Sequence, residues 1–311
     1  MSGPSFQYSR AANLRDALAQ ASRPGTAFLA GGTDLLQLWK AGAMAPAGVV
    51  DISRLPLDDV EFIDGRLSLG ALARLSDVAT HPDVTRYHPL IARAILASAS
   101  GQIRNMATVG GNLLQRTRCS YFRSEGLACN KRTPGSGCGA LAGENRQAAL
   151  FGASASCVAT HASDLAVALM ALDAEVEVFG AEGQRRFPLR DLYRLPAETP
   201  ERETNLTAGE LVTGICISNA ARFAAAIAIT GHRDHRYMTV TVDDDGPGIP
   251  ANLREDVFKP FLRLDDARNQ DEVGSGLGLA IARDIARSHG GDIMLGDSPM
   301  GGLRASVRIP V

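Results

Sequence analysis

The chain has 311 residues, 45% hydrophobic and 21% charged, an ordinary folded composition with room for about two domains. A formal net charge of −2 gives no electrostatic case for nucleic acid or an anionic membrane, and 5% aromatic residues leave little for bases to stack on. No apolar run approaches the ~20 residues of a membrane span, and five cysteines in so long a chain do not make a disulfide scaffold.

The opening "MSGPSFQYSRAANLRDALAQ" carries neither a basic leader nor an apolar core, so no Sec-type signal is expected. Leu14, Ala17, Leu18 and Ala21 recur at helical spacing behind Asn13, a suitable cap. "TAFLAGG" followed by "TDLLQLWKAG" reads as a strand, a tight turn and a helix start. "GVVDISRL" and "GRLSLGALARL" are strand-like, and "HPLIARAILASAS" is a helix candidate. "DLAVALMALDAEVEVFG" passes from helical to strand periodicity near Asp173. Residues 188–209, polar and proline-bearing, read as a surface segment or linker, with a domain boundary between about 205 and 220. "YMTVTV" alternates as a strand into "DDDGPGIP"; "GLGLAIARDIARSHGG" predicts a helix with Leu277, Ile281 and Ile285 on one face and glycine at its end; "LRASVRIPV" alternates to the end.

Three polar clusters carry the N-terminal chemistry. Gly31 and Gly32 in "FLAGGTDLL" let backbone N–H groups approach a phosphate, and Thr33 adds a hydroxyl, although a bare Gly-Gly turn more often serves structure alone. "NMATVGGNLLQ" offers Thr108, Gly110, Gly111 and Asn112, and "THASDLA" places Ser163 and Asp164 at a helix start, where capping is the commoner role. Together they suggest a large phosphate-bearing cofactor.

"FLAGGTDLLQLWKAG", "ATVGGNLLQRTRC" and "HASDLAVALMALDA", in that order, resemble the FAD-binding (medium) subunit of the molybdenum hydroxylases, the xanthine dehydrogenase and aldehyde oxidoreductase family with the PCMH-type flavin fold. The resemblance covers roughly residues 5 to 217. It implies that Thr26, Ala27, Phe28, Leu29, Ala30, Gly31, Gly32, Thr33 and Asp34 wrap the FAD pyrophosphate. Thr108, Gly111 and Asn112 would hold the rest of the dinucleotide, with Asp164 also in contact.

Cys119, Cys129, Cys138 and Cys157 are separated by nine, eight and eighteen residues. Incidental buried thiols are a common fate of cysteine. Structural zinc favours close C-x₂₋₄-C pairs, which are absent, whereas four widely spaced thiolates can ligate an iron–sulfur cluster. The segment resembles the subgroup of this family whose FAD subunit carries an extra [4Fe–4S] cluster, which implies these four cysteines as its ligands within an insertion at 119–157. Cys216, in apolar "VTGICIS", is expected in the core. The resemblance implies an electron-transfer chain: a molybdenum-cofactor subunit oxidises an aldehyde or N-heterocycle. Electrons then pass through a [2Fe–2S] subunit to the FAD held here and on to an acceptor. No catalytic acid or base is expected in this chain.

The C-terminal part has a second signature. "TVTVDDDGPGIP" places Asp244 after a strand, followed by Gly246 and Gly248; "VGSGLGLAIARDIARSHGG" sets Gly274, Gly276 and Gly278 before a helix, with "VFKPFLRLD" between. These runs resemble the ATP-binding domain of sensor histidine kinases, of the GHKL fold, over about residues 218 to 311. The resemblance implies Asp244 on the adenine amino group, Phe258 and Phe261 in the F box, the three glycines near the triphosphate, and Asn219 as Mg²⁺ ligand. It departs where the N-box helix should begin: only "NAARFA" survives, and Ile215 stands where a polar residue belongs, inside the strand-like "ELVTGICIS". The dimerisation helix with its phosphoacceptor histidine is missing, and His232, His235 and His289 lie in other contexts. The flavin family's small α/β domain, of about a hundred residues, is replaced by this piece.

The expectation is therefore an α/β (α+β) chain: a PCMH-type FAD-binding domain at 1–217 and a partial GHKL-type ATP-binding α/β sandwich at 218–311. It would work as an FAD and [4Fe–4S] subunit of a heterotrimer, without nucleic acid or membrane partners. It would be cytoplasmic, or periplasmic by co-export with a partner. The alternatives are an ATP-binding kinase-derived module or a fusion with neither activity complete.

Overall fold

The computed structural model describes residues 6–218, 227–259, 262 and 278–311. Phe261, Gly274, Gly276, Leu277 and all of "NAARFA", Asn219 included, therefore lie outside the described residues. The chain divides into two compact units, 1–219 and 220–311.

The first unit opens with β1 (Gln7–Arg10), α1 (Leu14–Ala21), β2 (Thr26–Leu29), α2 (Leu35–Lys40) and β3 (Gly48–Asp51). Asn13 caps α1 as expected, its Oδ1 accepting the Asp16 N–H at 2.9 Å. The three strands form a parallel sheet in the order β1-β3-β2. Asp51, at the end of β3, accepts from Tyr8 Oη at 2.6 Å, Arg10 Nε at 3.0 Å and the Ser53 N–H at 2.9 Å. These donors hold its carboxyl well below the usual carboxylate range against the opposing cost of burial.

A second sheet begins with β4 (Val60–Ile63) and β5 (Arg66–Gly70). Then come the helices α3 (Leu75–Thr80), α4 (Pro82–Tyr87), α5 (Pro89–Ala97), α6 (Gly101–Arg104), α7 (Val109–Leu113), α8 (Ser120–Arg123) and α9 (Asp164–Ala171). The sheet resumes with β6 (Glu175–Gly180), β7 (Gly183–Pro188) and β8 (Leu211–Ile217), in the antiparallel order β4-β5-β8-β6-β7. Alternation in "EVEVFG" turns Val176 and Val178 into the core and Glu177 toward Arg186 on β7. The switch from α9 to β6 falls at Asp173, which adopts φ 47°. All seven residues of central β8 are buried, including Cys216, as its apolar setting predicts.

Residues 188–209 are not a free linker. Leu189 and Leu192 are buried in the main core, Tyr193 Oη donates to the Leu113 carbonyl at 3.1 Å, and Tyr193 bridges Thr204. Two well-placed leucines in a polar stretch are enough to pin it, and composition averages hide them.

The second unit holds β9 (Ile227–Arg233), β10 (Tyr237–Asp244), α10 (Gly278–Ser288), β11 (Asp292–Asp297) and β12 (Leu303–Pro310). Its sheet is antiparallel in the order β11-β12-β10-β9. Gly290, at φ 72°, follows the end of α10. The helix is present, but Ile281 and Ile285, from the apolar face read in the sequence, are exposed, while Leu279, Ala282 and Ala286 pack with Val257, Phe258 and Ile293. Small side chains bring the helix close to the sheet, and the larger β-branched ones are left on the far side.

Candidate functional site

A cavity of about 270 Å³ opens where the two glycine turns meet. Of the expected residues, Ala27, Phe28, Ala30, Gly31, Gly32, Thr33, Asp34, Thr108 and Gly111 line it. Gly31 is required by close approach: a Cβ there would stand 1.8 Å from the Met106 carbonyl oxygen, so the first turn lies against the segment leading into the second. Thr108 caps α7, its Oγ1 accepting the Gly111 N–H at 3.2 Å. Leu35, Leu38, Met44, Ile52 and Leu72 add an apolar wall, with Asp34, Arg116 and Glu210 as the charged members of the lining. Backbone-rich glycine turns at one side and an apolar wall at the other suit a ligand with a phosphate end and a flat organic end.

Four expected residues stand back from this lining. Asn112 accepts the Ser163 hydroxyl at 2.6 Å and so ties α7 to the start of α9. Ser163 caps α9, accepting the Ala166 N–H at 2.9 Å, and Asp164 is exposed beside it. Thr26 and Leu29 belong to β2, with Thr26 Oγ1 packed beside Gly48. Asp34 lines the cavity, but its carboxylate serves the neighbouring loop. Oδ2 accepts the Arg116 N–H at 2.8 Å and Oδ1 accepts Arg123 Nη2 at 2.8 Å.

That loop leads to the cysteines. Cys119, Cys129, Cys138 and Cys157 converge on one small cavity, together with Tyr121, Phe122 and Lys131, and none is in a disulfide. Cys129 and Cys138 face each other across an isolated antiparallel bridge. Arg132 organises the turn by donating to the Tyr121 and Phe122 carbonyls, both at 2.7 Å. The Ala159 N–H donates to Cys157 Sγ at 3.5 Å, while burial pushes the Cys157 thiol up. Among the described residues no three His, Cys, Asp or Glu side chains stand close enough to share one metal ion. Four thiols line one cavity whose wall holds no histidine or carboxylate, a donor set that zinc or an iron–sulfur cluster can take.

In the second unit Asp244 Oδ1 accepts the Gly246 and Leu303 N–H groups, each at 2.9 Å. A Cβ on Gly302 would stand 2.1 Å from that oxygen, so glycine alone lets the 302–303 backbone close over the aspartate. Phe258 is buried beneath the Arg283 guanidinium, 4.1 Å from its ring centre. Gly278 begins α10, and Gly248 adopts φ 68°.

The family model for the FAD-binding domain in molybdopterin dehydrogenase matches residues 4–219, more than half of the chain. The chain belongs to this family. It is an oxidoreductase chain with an FAD-binding domain. Residues 210–311 match a second model, the histidine kinase-, DNA gyrase B- and HSP90-like ATPases, so a C-terminal domain of that type follows. The Escherichia coli K12 aldehyde oxidoreductase FAD-binding subunit PaoB is 48% identical over 215 residues, 68% of this chain and 68% of PaoB. The sensor histidine kinase CpxA of the same organism is 42% identical over 96 residues, 30% of this chain but 21% of the kinase. The fold is shared with carbon monoxide dehydrogenase from Oligotropha carboxidovorans (TM-score 0.52, 20% identity, 78% of this chain and 70% of that one). Quinoline 2-oxidoreductase from Pseudomonas putida 86 is similar to the same degree (0.52, 21%, 80% and 71%).

Gly110, one of the donors that the second glycine run offers, also lines the cavity, as do Arg116 and residues 210–212, which the sequence did not single out. Arg116, the first cation after the second glycine pair, was a visible signal. Glu210 has no local signal, because its place beside the cavity comes from the pairing of β8 with β5 and β6.

Proposed function

We propose that this chain is the FAD and [4Fe–4S] electron-transfer subunit of a molybdenum-dependent aldehyde- or xanthine-type oxidoreductase. It would assemble with a molybdenum-cofactor subunit and a [2Fe–2S] subunit, and pass electrons from the latter to an acceptor. The observation that carries this reading is the placement of the four-cysteine cavity beside the glycine-lined one, joined by the 116–123 loop that Asp34 clamps. Bound FAD supplies the redox chemistry. Ala27, Phe28 and residues 30–34, with Thr108 and Gly111, would position it, and the apolar wall would shield its organic end from water. Cys119, Cys129, Cys138 and Cys157 would hold the cluster. Two cavities so joined favour short-range electron transfer, and the chain itself need supply no acid or base.

Anaerobically purified protein should be yellow-brown, with one flavin and about four irons per chain. Replacing Cys129 and Cys138 together by serine should remove the iron and leave the flavin. Colourless, iron-free protein after anaerobic reconstitution would sink the reading. Co-purification with molybdenum and [2Fe–2S] subunits tests the assembly. Cell fractionation tests a cytoplasmic location against export on a partner.

A second activity is favoured by the Asp244–Gly302 clamp, which fixes the aspartate in one orientation at the end of β10. We propose that the C-terminal domain binds ATP with Mg²⁺, through Asp244 and Gly246, Gly248 and Gly278, with Asn219, Gly274 and Gly276 completing the site. Binding should be lost in Asp244→Asn; equal binding by wild type and variant would count decisively against it.

A further inference from the structure

Between the two cavities lie two cations and one carboxylate. Glu203 Oε2 accepts Arg116 Nε at 2.5 Å, and its Oε1 accepts Lys131 Nζ at 2.9 Å. Lys131 Nζ also donates to the Pro200 carbonyl at 2.9 Å, and its side chain is only 10% exposed. Lys131 lines the cysteine cavity, and Arg116 lines the flavin cavity while stacking 4.5 Å from the centre of the buried Phe122 ring. Phe122 in turn lines the cysteine cavity, so the trio spans the wall between the two sites. One carboxylate cannot neutralise two cations, so the trio carries a net positive charge in a part-buried setting where water screens it poorly.

Resting on the iron–sulfur reading above, we propose that Lys131 sets the reduction potential of the four-cysteine site, with Glu203 as its counterweight. Adding one electron makes such a site more negative. A fixed cation beside it stabilises the reduced form and raises the potential, while the carboxylate lowers it. No bond is made or broken and no new reductant is needed; the electron is the one already passing through the subunit. The arrangement biases electron flow between the two cavities without touching a thiolate. The Ala159 N–H on Cys157 Sγ acts in the same direction, but its backbone donor cannot be varied by charge.

The test is a mediator titration of the purified full-length chain followed by electron paramagnetic resonance, with iron content measured for each variant. Lys131→Gln should lower the midpoint so that the oxidised-to-reduced ratio at a fixed potential rises about tenfold, ~59 mV for a one-electron couple. Lys131→Arg should restore most of it, and Glu203→Gln should move the midpoint the opposite way. Loss of packing alone would not reverse sign between the two neutralisations. Equal midpoints at full iron content, or shifts of the same sign, would overturn the proposal; if Lys131→Gln loses its iron, the sign of the Glu203→Gln shift decides it. A wild-type chain with no iron–sulfur signal would instead overturn the reading on which it rests.

Discussion

Gly31 is where side-chain size decides whether the proposed flavin site can form. A methyl group there would overlap the Met106 carbonyl oxygen, a backbone atom that cannot rotate away. Gly31→Ala should therefore cost about 1–3 kcal/mol by overpacking and strip the flavin, measured as loss of yellow absorbance and a lower Tm. Unchanged flavin content would show that the two turns can separate freely. Glu210 offers a pH test at the rim of the same cavity. Both its oxygens pair with Arg185, at 2.7 and 2.8 Å, and Oε2 also accepts the Thr207 N–H at 2.7 Å. With the Arg185 bond as the largest cause, these interactions bring its carboxyl from 4.5 down to about 2. A lowered folded-state pKa means the stabilisation is full above about 4.5 and is lost as pH falls through about 2. Because Arg185 is 46% exposed, solvent screening limits it to roughly 1 kcal/mol. Urea midpoints of wild type should fall toward those of Glu210→Gln between those pH values; parallel curves would dismiss the pair. The glycines of these turns were legible because they demand a local conformation. Glu210 was not, since its place at the cavity comes from the pairing of β8 with β5 and β6, and the contact of Arg116 with Asp34, across 82 positions, has no local pattern either.

At the scale of elements, periodicity and caps carried most of the first unit. Asn13, the change at Asp173 and the alternation of "EVEVFG" each express a short-range rule that packing did not override. The exceptions share one physical origin. The packed face of α10 and the anchoring of 188–209 depend on what lies opposite, and a sequence does not show its neighbour across a sheet. Strand β8 is the element on which the unit turns. It pairs with β5 and β6, its every residue is buried, and Leu211 and Val212 also line the glycine-turn cavity. Ile215→Ala, at a fully buried position in its middle, should cost about 2–5 kcal/mol in chemical denaturation. A loss below about 1 kcal/mol would mean that the strand is not the centre of the sheet's core.

At the scale of the whole molecule, the two units differ in how much core supports them. The main cluster of the first unit runs from Leu67 to Ile217 and contains twenty-five buried residues, closing at the last position of β8. The second unit's cluster, among the described residues, has four: Val257, Phe258, Ala286 and Ile293. Its strand β9 is exposed along most of its length, and Ile229 is 64% exposed. Area-proportional hydrophobic stabilisation then favours the first unit strongly. The strand that ends the flavin fold also occupies the place where a kinase N-box helix would begin, so completing one core removes material from the other. The chain should unfold in two steps, the C-terminal unit first, with flavin retained until the second. Limited proteolysis should cut between about residues 217 and 227 and leave a stable flavin-bearing N-terminal fragment, identified by mass. A single calorimetric transition with simultaneous flavin release, and resistance across that junction, would show instead that the second unit is as well supported as the first.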